Sequence, residues 1–261
     1  MKKIICIGEC SLDITIDEQG QPIANRIGGR IASTAISLAK SGYPVLMASE
    51  ISADAVGDIV MKYFTASGVD TTSVDRITEG HTPLNVFTAT GVDATPTAHV
   101  RYDICTEEGF DIIWPRVDEG DIVLFGGYYT IDPLKRRRLQ QFLDNCKEHK
   151  AKLIYAPGFR ASIEPRITRV MTAVLENLEI ANTVVAIGSD LQHIFGSDDA
   201  EKVYRNNIQY YCDNFLCINA ANGTLSIYNG NEVSTEPVAD TTDYFTQAIT
   251  RLLDLENVKP Q

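Results

Sequence analysis

The chain is poor in the side chains that build redox, metal or nucleophile sites. It has one tryptophan and four histidines, and His81, His99, His149 and His193 show no spacing for a triad or a metal set. Six cysteines, at 6, 10, 105, 146, 212 and 217, form no CxxC pair. That excludes a zinc ribbon or a thioredoxin-type motif, and the cysteines within apolar runs read as small hydrophobes. No metal-ligating set is read from the spacing. No apolar run approaches the length of a membrane span. The start, Met1-Lys2-Lys3-Ile4-Ile5-Cys6-Ile7-Gly8, is basic, but its apolar run is too short for a secretory signal. A reduced cytoplasm is the expected compartment. Positive charge is scarce too: 23 Lys and Arg against 35 Asp and Glu leave a net charge of −12. This argues against nucleic acid or an anionic membrane as main partner. The one dense basic run, Lys135-Arg136-Arg137-Arg138, sits among leucines and reads as the solvated face of a helix.

What is present suits one large domain over residues 1–261, with 44% hydrophobic residues. Residues 3–8 read as a buried first strand ending at Gly8. From Glu9 to Asp17 the pattern alternates, with Leu12, Ile14 and Ile16 on one side and Ser11, Asp13, Thr15 and Asp17 on the other. Asp13 therefore stands just beyond the carboxyl end of the buried strand, a place for a ligand contact. Gly28-Gly29-Arg30 opens a helix carrying Ile31, Ala35, Leu38 and Ala39 on one face and stopping at Gly42. Two readings fit the glycine pair: a plain turn, or a place where backbone N–H groups approach a ligand.

Further along, strands are expected at 45–51, 120–127, 152–155, 183–187, 214–218 and 224–228. Helices are expected after Asp54 and over 133–149, 165–176, 190–195 and 200–211. Strands alternating with helices predict a mostly parallel, doubly wound sheet. Segments 12–27 and 80–103 predict a small antiparallel appendage. Near the C-terminus, Asp240-Thr241-Thr242-Asp243 precedes Ile249, Leu252 and Leu253 at helical spacing. This is a helix N-terminus, either as an ordinary cap or as the point to which the chain brings a small polar ligand. Trp114 before Pro115 reads as packing.

Three of these stretches resemble motifs of the ribokinase or PfkB family of carbohydrate and nucleoside kinases. Gly28 to Gly42 is similar to the family's Gly-Gly helix that binds the sugar, with Ser33 where the family has Asn. Ile51 to Gly57, followed by Ser67 to Thr71, is similar to its next block. Asp240-Thr241-Thr242 is similar to the lead-in of its Asp-Thr-Thr-Gly-Ala-Gly-Asp signature. The resemblance implies a three-layer α/β/α domain with a small β-sheet lid, often the dimer contact. It also implies phosphoryl transfer from Mg-ATP to a sugar or nucleoside hydroxyl.

Carried over residue by residue, the resemblance makes Asp243 the catalytic base. Asp13, Gly28, Gly29, Arg30, Ser33 and Arg160 fall on the substrate side. Asp190, Gly223, Asp240 and Thr242 fall on the nucleotide side. The departures concentrate on that second side. No Gly-Ala-Gly separates Thr242 from Asp243, so the backbone anion hole is lost. The family's Asn-x-x-Glu falls on Ile187-Gly188-Ser189-Asp190, and its Asp-Pro-Asn-x-Arg on Ala156-Pro157-Gly158-Phe159-Arg160. Its Thr-x-Gly-x-x-Gly falls on Ile218 to Gly223, with only the last glycine kept. Few residues follow Asp243, where family members continue into helices that wall the adenine. Three readings stay open: a kinase homologue that keeps the sugar cleft with weak or lost turnover, an active kinase using Asp243, and a structural dimer without ligand.

Overall fold

The computed structural model describes residues 2–88, 112–160, 164–238 and 243–260, and the backbone of 97–101. The expected turn at 91–96 and the site candidates Asp240 and Thr242 lie outside the described residues.

The chain begins with β1 (Ile4–Ile7), β2 (Ser11–Ile16) and β3 (Pro22–Gly28), then α1 (Arg30–Lys40), β4 (Val45–Ser52), α2 (Ala55–Ala66) and β5 (Asp70–Ile77). It continues through β6 (Leu84–Thr88), β7 (Thr97–Arg101), β8 (Ile122–Gly126), α3 (Arg136–Glu148), β9 (Lys152–Ala156), α4 (Met171–Ile180) and β10 (Thr183–Ile187). The last part is α5 (Gly188–Phe195), α6 (Ala200–Val203), β11 (Asn214–Asn219), β12 (Thr224–Asn229), β13 (Glu232–Pro237) and α7 (Tyr244–Leu255).

Nine strands form one sheet in the order β13-β12-β11-β10-β9-β8-β1-β4-β5. Pairing is parallel from β11 to β5, and β12 and β13 add an antiparallel edge. The alternation along β1 shows why the sheet is covered on both faces. Ile5 and Ile7 join one buried cluster with Leu139, Phe142, Val174, Leu191 and Phe215. Ile4 and Cys6 join another with Ile31, Leu38, Phe64, Ile249 and Leu253. Helices α3, α4 and α5 thus lie on one face and α1, α2 and α7 on the other, the expected three layers.

The segments at 12–27 and 80–103 form a second sheet of four strands, β3-β2-β6-β7, as expected. Its β2–β6 pair is parallel, so it is not wholly antiparallel. Other differences have local causes. The helix expected at 200–211 is one α turn followed by a π-helical stretch, Tyr204–Ile208. Tyr204 and Ile208 are both buried, and the Tyr204 ring stacks on Phe215 with centroids 5.8 Å apart. The helix expected at 165–176 starts later, at Met171, after a single 3-10 turn. The basic run is not one solvated face. Arg137 and Arg138 are exposed, but Lys135 turns inward to Glu50 at 2.8 Å and Arg136 reaches Asn177 at 2.8 Å.

Candidate functional site

Because β1, β8, β9 and β10 run parallel, their carboxyl ends share one edge of the sheet. The backbones there pack with no room for side chains. A Cβ at Gly126 would fall 2.3 Å from the Ala156 carbonyl oxygen, and one at Gly127 would fall 2.3 Å from Glu9 Oε2. Glu9, the residue after β1 and Gly8, ties this edge together. Its Oε2 accepts the Tyr129 N–H at 3.1 Å, and its Oε1 pairs with Arg160 at 3.1 Å. Arg160, expected on the substrate side, is therefore held by a carboxylate from beyond the end of β1, two strands away from β9.

The small sheet supplies the next group. Asp13 lies in β2 opposite Arg26 of β3 and beside Asn85 of β6. It is 8% exposed. Its Oδ1 accepts from Ser11 Oγ at 2.9 Å and Asn85 Nδ2 at 2.7 Å, while Oδ2 lies 3.7 Å from Arg26 Nε. Ser11 is buried with it, so the start of β2 is covered on both faces rather than half-exposed. Gly28 roofs this group: a Cβ there would meet Asp13 Oδ1 and Ser11 Oγ, each at 2.2 Å. Gly29 has φ +90°, and a Cβ on it would lie 2.1 Å from the Glu9 carbonyl oxygen. Both glycines are thus required by close backbone approach, and Gly29 also by its conformation.

Helix α1 links Asp13 to the remaining candidates. Arg30, its first residue, makes a two-toothed ion pair with Asp190 in the first turn of α5. Asp190 also accepts the Ile187 N–H at 3.3 Å. The Arg30 guanidinium sits 5.3 Å from the centroid of the Phe245 ring. Ser33 turns back and donates to the Arg30 carbonyl at 2.9 Å. Asp243 caps α7, accepting the Thr246 N–H at 3.1 Å, and its Oδ2 accepts the Ser37 hydroxyl at 3.0 Å. Ser37 is two helical turns from Arg30, about 10 Å along the axis of α1. The structure therefore brings Arg30 and Asp190 together, and sets Asp243 beside the middle of α1. Gly223 turns the β11–β12 hairpin with φ +59°, and its carbonyl accepts the Val238 N–H at 2.8 Å.

Sequence reasoning missed Glu9, Asn85 and Ser37. Glu9 carried a readable signal, since it directly follows a buried strand ending in glycine. Asn85 and Ser37 carried none, because each becomes relevant only through a partner 72 or 206 residues away. Also missed was Glu50, 4% exposed, whose Oε1 has no hydrogen-bond partner. Burial raises its carboxyl pKa, and the Lys135 ammonium only partly opposes this.

The resemblance implies Mg-ATP, and the described residues do not fit the metal. None of them form a group of three or more His, Cys, Asp and Glu able to hold an ion. Asp190 is bound to Arg30, and Asp243 to Ser37 and the cap of α7. A hollow of about 650 Å³ lies beside α3, over the stacked rings of Trp114 and Phe142, but none of these candidates line it. No helix among the described residues is long and apolar enough to cross a membrane.

Comparison with known proteins agrees with the fold. The aminoimidazole riboside kinase of Salmonella enterica, solved with aminoimidazole riboside and an ATP analogue, matches with a TM-score of 0.76 at 16% identity. That match covers 90% of this chain and 76% of the other. A PfkB protein from Polaromonas sp. JS666 matches with a TM-score of 0.79 at 17% identity, over 100% of this chain and 91% of its own. A 5-dehydro-2-deoxygluconokinase from Lacticaseibacillus casei is 31% identical over 84 residues, which is 30% of this chain and only 26% of that relative. The model of the pfkB family carbohydrate kinases matches residues 1–242, and this chain belongs to that family.

Proposed function

We propose that the protein binds a small sugar or nucleoside between the small sheet and the start of α1, and that phosphoryl transfer from ATP is weak or lost. The observation that carries this reading is how the acidic side chains are engaged. Asp13 is buried, with two neutral donors on its Oδ1, the exposed Arg26 3.7 Å from its Oδ2 and a glycine as its roof, an arrangement that fixes a carboxylate for hydroxyl groups. Asp190 has both oxygens in the fork of Arg30, and Asp243 serves as the cap of α7 and acceptor of the Ser37 hydroxyl. Catalysis of phosphoryl transfer is mostly positioning and electrostatics, and one lost donor typically costs about 10²–10³ in rate. In this reading Gly29, Ser33 and Arg160 complete the substrate side. Asp240, Thr242 and Gly223 are the remains of a nucleotide side. The chain acts as one domain in the cytoplasm, and the small sheet serves as lid and dimer contact.

The test pairs two measurements on one panel of sugars and nucleosides. In a thermal-shift screen without ATP, at least one ligand should raise the melting temperature, and Asp13→Asn should abolish that rise. In a coupled assay with Mg-ATP, turnover should be near background. Micromolar ATP binding with product formation, abolished by Asp243→Asn, would make this an active kinase with Asp243 as base. No shift with any ligand would leave the structural dimer.

A further inference from the structure

The Arg30–Asp190 pair joins residues 160 positions apart and engages both oxygens of the carboxylate. Arg30 presents Nη1 to Asp190 Oδ2 and Nη2 to Asp190 Oδ1, the second at 3.1 Å. This fork fits a carboxylate and a phosphate group equally well. The carboxylate has both oxygens on the guanidinium, and Oδ2 takes the Ile187 N–H as well. One flank of the guanidinium lies over Phe245. The Asp190 side chain is 11% exposed and that of Arg30 30%. The cation thus keeps an accessible edge while its counter-ion is buried. A pair closed in this way takes both carboxylate oxygens from a divalent cation and the Nη1–Nη2 fork from a phosphoryl group.

We propose that Asp190 is an internal ligand of Arg30, an autoinhibitory contact that keeps phosphoryl anions off this edge of the sheet. It does not organise a metal ion. The chemical class shut out is pyrophosphate and the polyphosphate of a nucleotide. Either must compete with a carboxylate already docked in the same fork and held by the first turn of α5. This deepens the reading of weak ATP use given above and rests on it only for the identity of the excluded ligand.

Isothermal titration with pyrophosphate, in buffer with a chelator and without magnesium, tests the contact directly. Asp190→Asn keeps the shape and the acceptor for the Ile187 N–H but gives up the charge that holds Arg30. It should bind pyrophosphate at least about tenfold more tightly than the wild-type protein. Adding Arg30→Gln to Asp190→Asn should remove the gain. Asp190→Ser, which suits the first turn of a helix, replaces Asn if melting shows that the first variant folds poorly. Equal affinity in wild type and variant overturns the proposal, and so does a gain that survives Arg30→Gln. No sugar and no turnover enter the experiment. Its failure therefore leaves the sugar-binding reading standing, and a failed sugar panel leaves this contact standing.

Discussion

One methyl group at position 28 would land 2.2 Å from both Asp13 Oδ1 and Ser11 Oγ. Real side-chain carbons do not approach that closely, so Gly28→Ala must push apart the group that Asp13, Ser11 and Asn85 form. Overpacking of this kind typically costs about 1–3 kcal/mol. Denaturant unfolding of Gly28→Ala should show a loss of that size. Any sugar-induced thermal shift should vanish with it, because the displaced carboxylate is the proposed contact. A variant as stable as the wild type, still binding ligand, would show that Asp13 has freedom the packing denies it. At this scale the sequence was readable where backbone geometry forced a residue type, as at Gly28 and Gly29. It was silent where a side chain matters only through a distant partner. Arg30 was legible as the opening of a helix, but its engagement with Asp190 was not.

Elements were more legible than contacts. Asp54 stands at the N-cap of α2, where its Oδ1 accepts the Gly57 N–H at 2.7 Å and the Thr82 hydroxyl at 2.7 Å. Its Oδ2 takes the Thr82 N–H at 3.0 Å. Burial pushes its carboxyl pKa up, but these hydrogen bonds outweigh burial and leave it below the ordinary value. Asp54→Ala should therefore cost about 1–2 kcal/mol, the upper range for a helix cap, since it also strips the loop at Thr82. Denaturant unfolding at neutral pH measures it, and a change within a few tenths would mean that water replaces the cap. The helix was readable because a cap residue preceded a periodic apolar run. Strands β5 (Asp70–Ile77) and β13 (Glu232–Pro237) were not, for the opposite reason. They are the two edges of the large sheet and largely polar, so their pairing is set by the neighbouring strand rather than by their own pattern. The π-helical turn at Tyr204 had no signal in the apolar periodicity of the segment.

At the scale of the whole molecule, two sheets meet at the start of α1. β3 of the small sheet runs through Gly28 into α1, whose first residue grips α5 and whose second turn receives the N-cap of α7. If both sides of this junction worked together, a sugar under Gly28 and Mg-ATP near Asp243 would change each other's affinity by the same factor. The geometry argues for no such exchange. Helix α1 links Asp13 to Asp190 and Asp243, and both carboxylates are already fixed by internal partners. A ligand transmits nothing unless it binds two states with different affinity, and the closed Arg30–Asp190 pair gives ATP no such state. The sugar found by thermal shift should therefore show an affinity unchanged, within about twofold, when titrated with and without excess Mg-ATP. In Asp190→Asn, where Arg30 is released, the same pair of titrations should begin to diverge. Strong coupling in the wild-type protein would mean that Asp190 already gives way when the sugar binds, and that the junction at α1 is a working hinge rather than a fixed joint.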